Sequence, residues 1–139
     1  MNAGNGGQPS LSKLNVLYVE DDRDLRDVGE LSLGLDEDIA VQTAESGVAA
    51  LALLDNGEYR PDVVLLDVMM PVMDGPAVLA ALRARPAHQR TPVIFITART
   101  QSHEVSAYQQ LGIAGLITKP FDPLALAPEV RRILARWGV

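Results

Sequence analysis

The stretch at residues 63–75 constrains the fold of this chain more than any other. Val63 to Leu66 form an uninterrupted apolar run that leads directly to Asp67, and Pro71 and Gly75 follow shortly afterwards. Such a run predicts a strand covered on both faces, because a half-exposed strand would alternate apolar and polar residues. Asp67 is therefore predicted to lie at the carboxyl end of a buried strand, where open α/β sheets bind their ligands.

The composition is that of a single globular domain. The chain has 139 residues, of which 47% are hydrophobic and 22% are charged, which is enough for one continuous core. It contains no cysteine. Disulfides, thiolate catalysis and cysteine-ligated zinc are thereby excluded, and a reducing compartment is favoured.

Charge and hydropathy patterning argue against two classes of partner. The net charge is −6, whereas unspecific binding to DNA or anionic membranes requires clustered basic residues. No apolar run approaches the roughly 20 residues of a spanning helix, and the first residues lack the features of a signal peptide. We therefore expect a cytoplasmic protein without direct nucleic-acid contact or membrane insertion.

The order of the predicted elements indicates the fold class. Residues 1–13 are rich in Gly, Asn, Ser and Gln, which predicts a flexible tail, and residues 14–139 form one domain with no second domain after it. Strands and helices alternate five times, which predicts a three-layer α/β/α domain with a five-stranded parallel sheet. The predicted strands are residues 14–19, 39–44, 63–66, 91–97 and 114–118.

The helices between these strands are predicted from apolar spacing and from capping residues. Asp22, Ser46 and Asp74 suit N-caps, and Pro76 suits a first helical turn. The predicted faces are Leu25, Val28, Leu31, Ser32 and Leu35 in the first helix, Val48, Leu51, Ala52 and Leu54 in the second, and Val105, Tyr108 and Leu111 in the fourth.

Pro128 conflicts with a last helix that starts directly after Pro123. A proline inside a helix removes a backbone hydrogen bond, so we predict a broken start, with the regular helix beginning near Pro128. The predicted buried face is Val130, Ile133, Leu134 and Trp137. His88 and His103 have no metal-ligand spacing, and both are predicted to be surface residues.

Polar groups follow four of the five strands at their carboxyl ends. They are Glu20, Asp21, Asp67, Thr97 and Lys119. Carboxylates gathered in one site repel one another unless a cation neutralises them, and an all-oxygen ligand set suits magnesium. The lysine and the threonine hydroxyl could bind phosphoryl oxygens, and aspartate is an established nucleophile for phosphorus.

Each of these residues has a simpler interpretation when it is taken alone. An aspartate after a strand usually forms a turn or caps a helix, and a lone lysine or threonine usually has no chemical role. Four strand ends that carry these groups in this order favour a phosphoryl-transfer site over unrelated surface residues.

The chain resembles the receiver domain of two-component response regulators. The resemblance extends from Leu14 to Trp137 and is carried by the stretches at residues 19–22, 66–75, 96–99 and 118–121. It implies the flavodoxin-like strand order 2-1-3-4-5, which brings the first and third strands together. It also implies a single-domain response regulator of the stand-alone, chemotaxis-regulator type.

The resemblance implies a role for each site residue. Asp67 looks like the phosphoacceptor, Glu20 and Asp21 like the acidic pair, and Met69 like the residue whose carbonyl completes a magnesium shell. In this family a histidine kinase or a histidine phosphotransfer protein donates the phosphoryl group, and the receiver catalyses its own phosphorylation and dephosphorylation. A surface change then signals to a downstream protein or passes the group on.

Thr97 and Lys119 look like the switch hydroxyl and the lysine that pairs with the phosphoryl group. Many receivers carry Tyr or Phe three residues before that lysine, where this chain has Leu116. A readout by an inward-turning aromatic ring is therefore not expected. Apolar Met69 cannot orient water, and Arg99 occupies the matching position after Thr97, so we predict a comparatively persistent acyl phosphate.

Three alternatives to a phosphoacceptor switch differ in their requirements. A hydrolase or phosphatase with Asp67 as nucleophile would turn over substrate, but Met69 stands where an acid would protonate the leaving group, and no cap domain is evident. A scaffold independent of phosphorylation would not need the acidic set. Nucleotide or flavin binding would need a Gly-rich loop after the first strand.

Overall fold

A computed structural model describes residues 13–98 and 101–138 of the chain. The predicted tail, apart from Lys13, lies outside the described residues, and so do Arg99 and Val139.

Five parallel strands form one sheet in the order β2-β1-β3-β4-β5. The predicted fold class and strand order are therefore confirmed. The strands are β1 (Leu14–Val19), β2 (Ile39–Ala44), β3 (Val63–Asp67), β4 (Val93–Thr97) and β5 (Gly115–Thr118).

Helices follow each strand and cover both faces of the sheet. They are α1 (Arg23–Gly34), α2 (Gly47–Asp55), α3 (Gly75–Arg83), α4 (Ser102–Gln109) and α5 (Leu126–Trp137), with a short 3-10 turn at Pro86–His88 after α3. Within the described ranges, no helix combines the length and the apolar character needed to cross a membrane.

The sheet separates two hydrophobic clusters. Residues of α2 and α3 pack on one face, and residues of α1 and α5 pack on the other. Every residue of β3 is buried, as its uninterrupted apolar run predicts. This central strand therefore delivers Asp67 to the edge of the sheet from a fully packed position.

Capping side chains set the starts of three helices close to the strand ends. Asp22, Ser46 and Asp74 each accept a hydrogen bond from the backbone N–H three residues later, as predicted. The caps place the first turns of α1, α2 and α3 beside the carboxyl edge of the sheet.

The predicted buried face of α1 is right for Ser32 and wrong for its four apolar residues. Leu31 and Leu35 are 74% and 64% exposed, and Leu25 and Val28 are also exposed. The buried residues are Gly29, Ser32 and Leu33. A Cβ atom at residue 29 would lie 2.3 Å from the ring of Tyr18, so the missing side chain lets the helix approach that ring. This close approach determines which face turns inward.

The predicted faces of α2 and α4 are right in part. Leu51 and Leu54 are buried in α2, but Val48 and Ala52 face solvent, and Gly47 and Ala50 are buried in their place. In α4, Val105 and Tyr108 are half-buried and Leu111 is exposed.

The broken start of the last helix is confirmed. α5 begins at Leu126, so Pro128 falls in the first turn, where its missing N–H breaks no intrahelical hydrogen bond. Val130, Ile133 and Leu134 are buried as predicted. The prediction for Trp137 is wrong, because its position in the last turn leaves it 44% exposed.

His88 is buried, with 5% exposure, which contradicts its predicted surface position. It is the last residue of the 3-10 turn, and its Nδ1 lies 3.2 Å from the hydroxyl of Thr91. Its carbonyl accepts a hydrogen bond of 2.9 Å from the guanidinium of Arg83. His103 is exposed as predicted.

Candidate functional site

The register of the sheet brings the predicted site residues to one edge. Val19 pairs with Leu66. The residues that follow them, Glu20 and Asp67, therefore lie side by side at the carboxyl edge of the sheet. Asp67 pairs with Ile96, so Thr97 lies one residue further along β4. Thr97 in turn pairs with Thr118, the residue before Lys119.

Three carboxylates form a compact acidic cluster at this edge. One carboxylate oxygen of each of Glu20, Asp21 and Asp67 lies within 4.8 Å of the others. Glu20 and Asp67 are 1% and 2% exposed, whereas Asp21 faces solvent. Two acids are therefore held at the base of the site, and the third forms its open side.

Lys119 is the cation that faces the two buried acids. Its Nζ lies 3.0 Å from Glu20 Oε1 and 3.0 Å from Asp67 Oδ1. The backbone N–H of Lys119 donates to the carbonyl of Thr97 at 2.9 Å, which fixes the lysine beside β4. Burial alone would lower the pKa of Lys119, but the two carboxylates outweigh it and raise that pKa. The lysine is thus held in its charged form.

Glu20 is strongly perturbed by its surroundings. Its pKa is raised to about 7: burial is the largest cause, the N–H of Asp22 and the ammonium of Lys119 offset part of the rise, and the charge of Asp67 adds to it. The N–H of Asp22 donates to Glu20 Oε2 at 3.1 Å. In this arrangement one ammonium group faces two of the three carboxylates of the cluster.

The donor set fits a hard divalent cation. Glu20 Oε1 is buried and makes no well-aligned hydrogen bond, although Lys119 Nζ is near it. A buried carboxylate oxygen without an aligned donor is the kind of ligand a metal ion satisfies. With the exposed Asp21 and with Asp67, it offers an all-oxygen site suited to Mg²⁺.

The loop after β3 holds the carboxylate of Asp67 against the backbone. The N–H of Met69 donates to Asp67 Oδ1 at 3.4 Å, and the side chain of Met69 is 53% exposed. The N–H of Gly75 donates to the carbonyl of Val68 at 2.8 Å, which closes this loop. A Cβ atom at residue 75 would lie 2.9 Å from the Cα of Val68.

Sequence reasoning missed the structural importance of Gly75 and of Arg26. The guanidinium of Arg26 donates to the carbonyl of Glu20 at 2.9 Å and to that of Asp21 at 3.4 Å. An arginine one turn after the cap Asp22 is the only signal in the sequence for this contact. Gly75 directly follows the cap Asp74, and this position in the sequence indicates the start of a helix. It does not reveal the close approach of residue 75 to Val68.

Thr97 and Leu116 lie on the side of the site towards α4. Thr97 is fully buried at the end of β4. Leu116 is half-buried against the cluster that contains Phe95, and Tyr108 of α4 packs edge-on against Phe95 with ring centroids 5.5 Å apart. The aromatic ring on this side therefore belongs to α4 and not to β5.

Comparison with known proteins identifies the family. The sequence matches the response regulator receiver domain over residues 16–131. The chain belongs to the receiver domain family of response regulators. Receiver domains bind Mg²⁺ at an acidic pocket, and this receiver has a Glu, Asp, Asp cluster at the corresponding edge.

Individual relatives extend over most of this receiver. It is 36% identical over 124 residues to the transcriptional regulatory protein CseB of Streptomyces avermitilis, covering 89% of the chain and 50% of that protein. It is 34% identical over 123 residues to an uncharacterized 14.6 kDa protein of Leptolyngbya boryana, covering 88% of the chain and 92% of that protein.

A solved structure shows the same fold. The chemotaxis response regulator CheY4 of Vibrio cholerae matches with a TM-score of 0.77 and 31% identity, over 87% of this chain and 98% of CheY4. The receiver spans about half the length of several curated relatives that it matches, including CseB.

Proposed function

We propose that this receiver domain accepts a phosphoryl group on Asp67 from a histidine kinase or a histidine phosphotransfer protein, in a Mg²⁺-dependent reaction. The observation that carries the proposal is the pairing of Asp67 and Glu20 with one lysine, both at 3.0 Å, beside the open carboxylate of Asp21. The ammonium of Lys119 lies where it can neutralise phosphoryl oxygens as a group is transferred to Asp67.

The reaction assigns a role to each group. A carboxylate oxygen of Asp67 forms the bond to phosphorus, and the phosphorus–nitrogen bond of the donor phosphohistidine breaks, leaving its electron pair on the imidazole nitrogen. Lys119 binds the phosphoryl oxygens as they arrive, and its contact with the carbonyl of Thr97 keeps it in place. In dephosphorylation, water attacks phosphorus and the bond to the Asp67 oxygen breaks, which releases inorganic phosphate and returns Asp67 to its free carboxylate.

The magnesium ligands are proposed to be Glu20, Asp21 and Asp67, together with the backbone carbonyl of Met69. The ion, when bound, neutralises the carboxylates and the phosphoryl oxygens. The burial of Glu20 and Asp67 keeps water away from two of these groups, and the exposure of Asp21 leaves room for the donor.

The phosphoryl group is proposed to change the surface near α4. The hydroxyl of Thr97 donates a hydrogen bond to it, and the fully buried position of that side chain requires β4 and its neighbours to adjust. Leu116 lacks a ring to exchange between exposed and buried positions, so a smaller rearrangement of α4 and β5 carries the signal.

The partners belong to the same proposal. The domain acts alone in the cytoplasm, signals to a downstream protein or passes on the phosphoryl group, and makes no direct contact with nucleic acid. The match over 92% of the small Leptolyngbya protein supports single-domain action, and the net charge of −6 disfavours nucleic acid. The apolar side chain of Met69 supports a persistent acyl phosphate.

A labelling experiment tests the proposed acceptor. The protein is incubated with Mg²⁺ and phosphoramidate, and we expect one hydroxylamine-labile phosphoryl group per chain that is lost in Asp67→Asn. Asp38→Asn, a change of an exposed acid distant from the site, should label like the wild type. Repeated release of phosphate would indicate a hydrolase, and no adduct would indicate a scaffold.

A further inference from the structure

A second concave feature borders the acidic cluster. It is a cavity of about 230 Å³ between the turn at residues 45–48, after β2, and the loop at residues 70–73, after β3. Asp21 lies at its edge, so the cavity and the acidic cluster share a residue. We call this cavity the lateral notch.

The lining of the lateral notch is mainly apolar and partly exposed. Met70 is buried with 8% exposure, whereas Val48 and Val72 are 59% and 96% exposed. Gly47 lets the two walls approach, because a Cβ atom there would lie 2.5 Å from Val78 and 3.1 Å from Met73. The notch is therefore a gap between two loops that are packed together at their base.

Val72 holds its side chain in solvent at an energetic cost. Its φ of 69° places a β-branched residue in the left-handed region. Such a conformation is unfavourable for a β-branched residue and occurs often at functional sites. An apolar side chain that is almost fully exposed contributes little to stability and is available to contact a partner.

The position of the notch relative to Asp67 indicates what can cover it. Asp67 is 2% exposed, so a donor reaches it only through the surface around the acidic cluster. Phosphoryl transfer requires the reacting atoms to approach to about 3–3.5 Å. A protein donor at that distance also covers the loops that adjoin Asp21, whereas a small donor such as phosphoramidate does not reach them.

The volume of the lateral notch and the charge at its edge indicate which group of a partner can occupy it. A volume of about 230 Å³ is below the range of about 300–1,000 Å³ that is usual for small-molecule sites, and it suits a single side chain. Asp21 and Glu45 give the edge of the notch a negative charge. A partner group with an apolar anchor and an adjacent basic residue is complementary to this surface.

We propose that the lateral notch receives an apolar side chain of the protein phosphodonor, next to a Lys or Arg of the donor that faces Glu45. This inference rests on the proposed function. The apolar anchor aligns the phosphohistidine with Asp67, so Val48 and Val72 determine specificity for protein donors and have no part in the chemical step.

Val48→Asp and Val72→Asp test the inference by placing a charge in the notch. Both variants should fold, because Asp is favourable in the first turn of α2 and tolerates a left-handed conformation. The protein donor is the histidine kinase of the source organism that phosphorylates the wild type fastest in a panel of purified kinases. Phosphoramidate is the small donor.

We expect each variant to lower kcat/KM with the kinase by about tenfold or more and to leave the rate with phosphoramidate unchanged within about twofold. Val48→Asn, which adds no charge, should shift kcat/KM in the same direction. Glu45→Gln should make the rate with the kinase less sensitive to salt. Leu35→Asp is the matched control, since Leu35 is 64% exposed and follows the C-terminal end of α1, whereas the acidic cluster adjoins its N-terminal end. The rates of this variant with the kinase and with phosphoramidate should equal those of the wild type.

Three outcomes would overturn the inference: unchanged kinase rates in both notch variants, equal losses with both donors, or a wild type that phosphoramidate labels but that no kinase in the panel phosphorylates. The failure of the proposed function is distinguishable from these, because Asp67 would then remain unlabelled by phosphoramidate in the wild type.

Discussion

Val72 combines three properties that rarely occur together in one residue. It is β-branched, its φ is 69°, and its side chain is 96% exposed. Because the side chain makes almost no packing contacts, its replacement isolates the cost of the backbone conformation. A left-handed conformation costs an L-residue roughly 1–2 kcal/mol, and asparagine tolerates it best after glycine.

We therefore predict that Val72→Asn raises the free energy of unfolding by about 1 kcal/mol. Urea denaturation monitored by circular dichroism measures the change. Val48→Asn is the matched control, since Val48 is also exposed but lies in a regular helix, and it should not stabilise the protein. Equal stability of Val72→Asn and wild type would show that the loop is not strained at this residue.

His88 makes stability depend on pH. Burial lowers its pKa below the ordinary 6.5, and the charges of Arg60 and Arg85 lower it further. The unfolded chain then binds more protons than the folded chain as the pH falls past the ordinary value. The free energy of unfolding therefore decreases on acidification and is fully retained only above that value.

The predicted consequence concerns His88→Gln. The wild type should lose more stability than the variant between about pH 7 and pH 5, because glutamine does not titrate. Chemical denaturation at a series of pH values, with the salt concentration held constant, gives the comparison. Parallel pH profiles for the two proteins would exclude His88 as the titrating group.

At the scale of elements, the junction between β3 and α3 is the most tightly constrained. A Cβ atom at Gly75 would meet the Cα of Val68 at 2.9 Å and the carbonyl oxygen of Asp67 at 3.4 Å. These are backbone atoms, which cannot move aside as the end of a flexible side chain can. The first residue of α3 therefore sets the position of the loop that follows Asp67.

Gly75→Ala should lower the free energy of unfolding by about 1–3 kcal/mol and slow the phosphorylation of Asp67 by phosphoramidate. Gly34→Ala is the matched control, because a Cβ atom at the end of α1 meets nothing within 4 Å. That variant should be as stable as the wild type or slightly more so. Urea denaturation and the labelling rate are the two measurements. A fully stable and active Gly75→Ala would contradict the close approach.

α4 is the element best placed to change its position. It has no buried residue, and Tyr108 is its aromatic contact with the core through Phe95. Few buried apolar contacts are typical of segments with low local stability. The absence of an aromatic residue at Leu116 therefore does not leave this side of the domain without a ring, since α4 supplies one.

At the scale of the whole molecule, the proposed magnesium site would link ion binding to stability. Folding brings carboxylate oxygens of Glu20, Asp21 and Asp67 within 4.8 Å of one another, whereas in the unfolded chain Asp67 is far from the other two. A ligand that binds only the folded state stabilises it by about 2.7 kcal/mol at 100 times its Kd. The same cluster opposes folding when no cation is bound, because the carboxylates repel one another.

We predict that Mg²⁺ raises the Tm of the wild type and that Asp21→Asn removes most of this increase. Without Mg²⁺, Asp21→Asn should be at least as stable as the wild type, because one repelling charge is lost. Glu37→Gln, which changes an exposed acid away from the site, should keep the full response. Thermal denaturation over a series of Mg²⁺ concentrations measures both effects, and the same response in Asp21→Asn would contradict the assigned ligand.

The sequence by itself determined the sheet and the composition of its functional edge. Apolar runs are local signals that locate the strands. Parallel strands bring their carboxyl ends to one edge of the sheet, so the sequence alone predicts that Glu20, Asp21, Asp67 and Lys119 lie together. The caps Asp22, Ser46 and Asp74 were equally predictable, because a cap depends only on the next few residues.

Only the tertiary structure decided which side chains those elements bury. The apolar stripe of α1 predicted the wrong face, because the contact between Gly29 and the ring of Tyr18 depends on how a helix and a strand are packed. The burial of His88 and the raised pKa of Glu20 likewise depend on neighbours that are distant in the chain or on the depth of the site. Periodicity records which residues share a face, but desolvation and close approach depend on the atoms that other elements bring to it.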